Sequence, residues 1–360
     1  MLVHICCAVD SHYFLQKLQE EYPQEKLVGY FYDPNIHPYS EYKLRLLDVK
    51  RSCKMLGIEL LEGDYDVDNW LKAVRGFEHE PEKGERCAIC FDRRFEVTAE
   101  QTAQMGEKTF TSTLLTSPKK SLEQLKVAGD ALAKKFDIEF LAPDYRKASG
   151  TQEQNIMAKE DALYRQDYCG CVYALNIQRD SQKRLADELF SPISQQIQPE
   201  SIEARMELYE KRWSLEDEKR AYKIVKERFL NWRQMHGLLR IKKETVPAHF
   251  LPLSTLKNEY TRGKVDVQVG DLHYMNRDEV KFITLETYNH YTKRKYNSVQ
   301  ELIYSPPTFE EELKIRLQLI NNPYDLSSVL VVETIPTKKL EILSKSHIYE
   351  DVKEVLIEIS

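Results

Sequence analysis

Short apolar runs alternate with longer amphipathic ones through the first 175 residues. Leu2–Ile5, Leu27–Tyr32, Ile58–Leu61, Lys108–Ser112 and Glu139–Leu141 have the length of buried strands. Between them Tyr13–Tyr22, Glu41–Leu56 and Ser121–Lys135 carry apolar residues at helical spacing. Strand and helix in alternation predict an α/β fold, a parallel sheet with crossover helices, whose ligands sit beyond the carboxyl ends of the strands. From about Ile202 to Met235 the chain is charged, with Met206, Tyr209, Trp213, Tyr222, Val225, Phe229 and Trp232 at near-helical spacing, which predicts a helix. From Leu238 to Leu285 the runs shorten and alternate, as in Val265–Val269, and predict a small antiparallel unit. A helix over Phe309–Ile320 and a strand over Val329–Glu333 follow.

The change of texture near Ser191–Gln196 divides the chain into three expected parts. These are a first domain over 1–190, a helical linker over 191–237 and a C-terminal α+β module over 238–360. With 360 residues, 42% hydrophobic and 31% charged, the composition fits a soluble protein of two or more domains. A formal net charge of -6 argues against bulk attraction to nucleic acid and leaves only a local basic surface for it. Met1–Ile5 lacks the basic region and long apolar stretch of a signal peptide, and no run is long enough to span a bilayer. The expected location is the cytosol, with no membrane partner. Thiols there are kept reduced, so clustered cysteines read as ligands or catalytic groups.

Six of the seven cysteines form three tight pairs, Cys6-Cys7, Cys87-Ala-Ile-Cys90 and Cys169-Gly-Cys171. Such spacings suit soft metals or thiol–disulfide exchange. Cys53 lies in the helical run with Leu44, Leu47 and Leu56 and reads as buried packing. Cys6-Cys7 follows the first strand directly; if both residues stay extended their side chains diverge, and one metal takes both only if the chain bends. Asp10 could cap the following helix or add an oxygen ligand beside the thiolates, and Ser11 reads as a cap. His4, in an apolar strand, reads as a core residue. Cys87-x-x-Cys90 lets two sulfurs converge, equally for zinc, an iron–sulfur cluster or dithiol chemistry. The neighbouring Arg86, Arg93 and Arg94 could meet a substrate phosphate or face solvent. A disulfide across Gly170 would be strained and easily reduced, which suits a redox relay; two ordinary thiols are the plain alternative. Asp33-Pro34-Asn35-Ile36-His37-Pro38 follows a strand and offers a carboxylate and an imidazole near the expected ligand position. Farther on, Tyr288–Tyr296 alternates basic and aromatic groups, the pattern of an RNA contact or of a solvated segment.

Several of these stretches occur together, in order, with others. They are His4-Ile5-Cys6-Cys7-Ala8, Phe31–Pro38 with Glu41-Tyr42, Arg86–Phe91, Phe110–Pro118, Pro143–Lys147 and Leu163–Tyr173. In this combination residues 1 to about 175 resemble the QueH-type epoxyqueuosine reductases. The resemblance implies a fold similar to the adenine-nucleotide-hydrolase-like (HUP) α/β group. It also implies a cobalamin-independent oxidoreductase that removes the epoxide oxygen of epoxyqueuosine in a tRNA anticodon to give queuosine, with a [4Fe-4S] cluster beside a mononuclear iron.

Carried onto this sequence, the resemblance makes Cys6, Cys7, Cys87 and Cys90 the shared ligands of the two centres and Asp10 the carboxylate ligand of the lone iron. Val9 departs from the family pattern and bears only on loop geometry. Asp33 and His37 are the candidate proton donors, Tyr32 a wall of the site, and Cys169 and Cys171 a redox-active pair, joined by a disulfide when oxidised, that relays electrons or locks the closing segment. The partners implied are tRNA carrying epoxyqueuosine and an unidentified electron donor. A colourless zinc-stabilised RNA-binding protein is one alternative. A tRNA sulfurtransferase of similar fold is another, although Cys6–Ser11 lacks the glycines of a phosphate loop.

Overall fold

The first strand, β1 (Leu2–Ile5), is buried along its whole length, which is why its sequence is continuously apolar apart from His4. A computed structural model describes residues 1–117, 121–147, 149–190, 196–275 and 280–359, so the expected boundary over Ser191–Gln196, all but Gln196, and Pro118 lie outside the described residues. After β1 come α1 (Ala8–Glu21), β2 (Val28–Phe31), α2 (Tyr39–Leu56), β3 (Glu59–Glu62), α3 (Val67–Ala73), α4 (Glu85–Gln104) and β4 (Thr109–Ser112). Then follow α5 (Leu122–Phe136), β5 (Glu139–Phe140), α6 (Gly150–Glu160) and α7 (Val172–Ser181). The strands form one parallel sheet in the order β3-β2-β1-β4-β5, the α/β arrangement the alternation predicts. With β1 at its centre, the order reverses between β1 and β4, and the carboxyl ends of those strands flank the crevice where such sheets take ligands.

Helix α1 packs on α2 and α6, and α4 on α5; right-handed crossovers put the α1–α2 and α4–α5 layers on opposite faces. Cys53 is buried in the core of this sheet, where burial pushes its thiol up to about 12. No helix among the described residues is long and apolar enough to cross a membrane.

Two compact units are distinguished, one of Met1–Leu189, Arg205–Ile224 and Glu358–Ser360, the other of Phe190–Ala204 and Val225–Ile357. Residues 191–237 are therefore divided between the two, and the helix expected to reach Met235 stops early. Helix α8 (Ile202–Asp217) ends where Lys219 takes φ 55° and the Arg220 N–H returns to the Leu215 carbonyl. The chain continues as the long strand β6 (Tyr222–Ile241). Tyr222, Val225, Phe229 and Trp232 suit a pleated surface as well as a helix, and the helical spacing alone does not separate the two.

The second unit then adds β7 (Glu244–Val246), β8 (His249–Phe250), β9 (Tyr260–Gly263), β10 (Val265–Val269), β11 (Leu272–Met275), β12 (Val280–Thr284), α9 (Leu285–Tyr291), α10 (Val299–Tyr304), α11 (Phe309–Ile320), β13 (Val329–Val332) and β14 (Leu340–Glu358). Its sheets run β10-β11-β12-β13-β8 and β7-β6-β14-β9. Alternate residues of β13 feed two cores, Val329 and Val331 one and Leu330 and Val332 the other, so both faces of its sheet are covered. In the Tyr288–Tyr296 segment the aromatic rings at the two ends face inward, while His290, Lys293, Arg294 and Lys295 are exposed. Tyr288 and Tyr296 are buried, and the Tyr288 hydroxyl donates to Glu312. Arg294 reaches Ser305 and Glu301, and Lys295 the carbonyls of Asn289 and Thr292.

Candidate metal and redox site

Cys7 sits at the N-cap of α1 in an extended conformation, and the chain bends at Cys6 as it passes from β1 into the helix. That bend is the one that two adjacent cysteines need to face one ion. The Sγ atoms of Cys6 and Cys7 are 3.9 Å apart, and Cys6 Sγ is 3.9 Å from Asp10 Oδ2. The ligand atoms of Cys6, Cys7 and Asp10 all lie within 4.8 Å of one another. Contact between the two thiols lets Cys6 ionise more readily, while Cys7, beside that charge and buried, is held well above the usual thiol range.

Asp10 is not the helix cap that its position suggests. It lies in the first turn, three residues beyond the N-cap Cys7, and its Oδ1 accepts from Gln154 Nε2 at 2.8 Å. Ser11, also expected to cap, is buried within the helix and donates to the Ala8 carbonyl at 3.3 Å.

Cys87 and Cys90 stand one turn apart near the start of α4. Cys87 Sγ accepts from the Lys83 N–H at 3.3 Å. Cys90 is buried with Trp70, Val74, Cys171 and Ala174, and burial pushes its thiol up to about 12. Of the arginines on this helix, Arg86 and Arg94 are buried and Arg93 is half-buried. Arg86 donates to the carbonyls of Phe77 at 3.3 Å and Glu78 at 2.8 Å. Arg94 is buried in an ion pair with Asp33 and donates to His4 Nε2 at 3.3 Å, and Arg93 pairs with Asp66 at 3.1 Å. His4 is a satisfied core residue, with Ser112 Oγ at 2.8 Å from its other ring nitrogen.

A cavity of about 240 Å³ opens at this end of the sheet. Of the expected site residues, Cys6, Cys7, Asp10, Asp33, Cys87, Cys169 and Cys171 line it, and Cys90, His37 and Tyr32 do not. Asp33 follows β2 and is 1% exposed. Burial raises its carboxyl to about 6 against the opposing pull of Arg94 and Arg45, and its Oδ2 has no hydrogen-bond partner. His37 Nδ1 lies 2.9 Å from the Asn35 carbonyl and its ring packs near Tyr65 and Trp70; burial lowers its pKa and favours the neutral ring.

The third cysteine pair is brought to the cavity by a buried arginine. Arg45 pairs with Glu41 at 2.7 Å, donates to the carbonyls of Cys169 at 3.2 Å and Tyr168 at 3.1 Å, and lies over the Tyr168 ring. Between the cysteines Gly170 takes φ +106°, and its carbonyl accepts from the His37 N–H at 2.8 Å. None of the seven cysteines is joined in a disulfide, so the one expected across Gly170 when the pair is oxidised is not formed here. The roles of Arg45, Arg94 and Gln154 had no signal in the sequence, since each depends on a partner far along the chain.

A parallel α/β sheet whose central strand ends in adjacent thiols, facing a cavity walled by further cysteines, defines an α/β protein with a cysteine-lined cavity at the switch point. The model of the family described as epoxyqueuosine reductase QueH matches residues 1–177. The epoxyqueuosine reductase QueH of Helicobacter pylori is 39% identical over 368 residues, covering 98% of this chain and 98% of that protein. That of Haemophilus influenzae is 39% identical over 184 residues, 51% of this chain and 73% of that protein. The chain belongs to the QueH epoxyqueuosine reductase family, and the Helicobacter relative is similar to it through the second unit as well. Among solved structures, a U34-tRNA thiolase from Methanococcus maripaludis with its [4Fe-4S] cluster aligns with 59% of this chain and 73% of that chain, at a TM-score of 0.34 and 14% identity.

Proposed function

We propose that this protein is an epoxyqueuosine reductase acting on tRNA in the cytosol, and that Cys6, Cys7, Cys87, Cys90 and Asp10 hold a [4Fe-4S] cluster and an additional mononuclear iron. The observation that carries this reading is the convergence of Cys6, Cys7 and Asp10 within 4.8 Å beside the cavity. Two thiolates and a carboxylate fit a single iron with coordination positions left for substrate. Cys87, on the same cavity wall, fits a further thiolate donor. Cys90 fits only if its sulfur turns from the Trp70 pocket toward its helix neighbour.

Removing the epoxide oxygen consumes two electrons and two protons, leaves an alkene and releases water. Iron bound to these donors would supply electrons singly and a Lewis-acidic position for oxygen. The chain itself must supply protons and exclude bulk water. Asp33 is the better placed of the two candidate donors, because it lines the cavity and its carboxyl, raised to about 6, retains a proton near neutrality in part of the population. His37 lies off the cavity wall. Cys169 and Cys171 would relay reducing equivalents from an unidentified donor, or lock the closing segment.

The test is anaerobic purification with determination of iron, sulfide and zinc and the visible spectrum, followed by a reducing assay on tRNA carrying epoxyqueuosine with nucleoside analysis. Brown protein that converts epoxyqueuosine to queuosine is the expected result. Colourless, zinc-loaded protein without turnover would overturn the reading.

A further inference from the structure

Gln154 lies on α6, far along the chain from the cysteines, yet it is 5% exposed and lines the same cavity. Its Nε2 donates to Asp10 Oδ1 at 2.8 Å and to the Val9 carbonyl at 3.3 Å. An amide nitrogen has two hydrogens, and these two acceptors use both. Turning the amide over would point its oxygen at a carboxylate and a carbonyl, so its orientation is fixed by the network. The helix is seated firmly enough to hold it. A Cβ on Gly150, at the start of α6, would lie 1.9 Å from the Tyr145 carbonyl oxygen, so that only glycine allows this approach. Glu153, one residue before Gln154, accepts from the Tyr13 hydroxyl of α1 at 3.4 Å.

We infer that Gln154 is a positioning residue for the Asp10 carboxylate, holding Oδ1 so that Oδ2 is presented toward Cys6 and the metal that the two would share. The inference rests on the reading of Cys6, Cys7 and Asp10 as metal donors and adds to it the group that orients the weakest of the three. A partner of this kind fixes the ligand's rotamer, and its loss typically weakens metal binding by roughly 10–100-fold.

The full-length protein, purified anaerobically and stripped of labile metal with a chelator, is titrated with Co(II), and thiolate-to-cobalt charge transfer is followed. Gln154→Leu and the unbranched Gln154→Met are expected to weaken Co(II) binding by roughly 10–100-fold. In an Asp10→Ala background Gln154→Leu should change it by less than about twofold, because the effect passes through Asp10. Co(II) binding by both single variants equal to wild type would overturn the inference and leave the donor set standing. An equal loss in the Asp10→Ala background would also overturn it, since it would mark a general structural role. Absence of a charge-transfer band in the wild type would overturn the donor set itself, and the inference with it.

Discussion

Gly170→Ala isolates the clamp that holds the Cys169–Cys171 segment against the cavity. The backbone there, at φ +106°, lies beyond the left-handed helical region, and an alanine held in so sparse a conformation costs about 1–3 kcal/mol. The new methyl would also stand 2.9 Å from Ile36 Cγ1 and 3.2 Å from Arg45 Nη1. Ile36 is 1% exposed, and Arg45 is tied to Glu41 and to the Cys169 carbonyl, so neither can swing aside. Overpacking of this kind adds about 1–3 kcal/mol. Partial relaxation of the segment brings the expected loss to about 2–4 kcal/mol, at the expense of the His37 N–H bond to the Gly170 carbonyl. Gly57→Ala is the control: φ is +67° with nothing within 4 Å of a Cβ, so only a backbone cost of about 1 kcal/mol is expected. Urea unfolding followed by fluorescence gives both values, since Trp70 packs near Tyr173 and His37 and reports on this region. Equal losses for the two variants would refute the claim that the segment is clamped.

Cys87→Ala should abolish cluster absorbance and turnover together; retention of both, read by visible spectroscopy and nucleoside analysis, would remove it from the ligand set. Asp33, raised from 3.8 to about 6, binds a proton in the folded state that the unfolded chain has released. Its contribution is present below pH 4 and lost as pH rises through 6, by up to about 3 kcal/mol, and denaturation of wild type against Asp33→Asn should reveal that slope only in the wild type. Arg212→Met removes one partner of a fully buried pair with Asp48 and leaves that carboxylate's charge uncompensated, with the Tyr164 N–H still donating to Oδ2, which should cost about 3–5 kcal/mol in urea unfolding; a loss below about 1 kcal/mol would contradict the burial of the pair.

The parallel sheet was legible because a strand buried on both faces must be apolar throughout, as Leu2–Ile5 is, and because crossover helices repeat an amphipathic pattern between strands. The end of α8 was not, since a non-glycine residue, Lys219, takes the left-handed turn that stops it. The strand Leu340–Glu358 was missed for a related reason: its charged and apolar residues follow no period that sequence alone would favour. At the site, the cysteine pairs announced themselves by spacing, and family resemblance assigned their roles. Burial of Arg94 and Arg86 escaped notice, because an arginine reads as solvent-facing until the distant acceptors that enclose it are known. Tyr288 and Tyr296 misled in the opposite direction, their rings serving a core rather than a nucleobase.

Cys6, Cys7 and Asp10 come from a single junction between β1 and α1, whereas Cys169 and Cys171 arrive from the far end of the same unit. The proposed donor trio is therefore encoded in a handful of neighbouring codons, where one strand meets one helix. Evolution or an engineer can reshape the rim of the cleft for a different guest without dismantling that anchor.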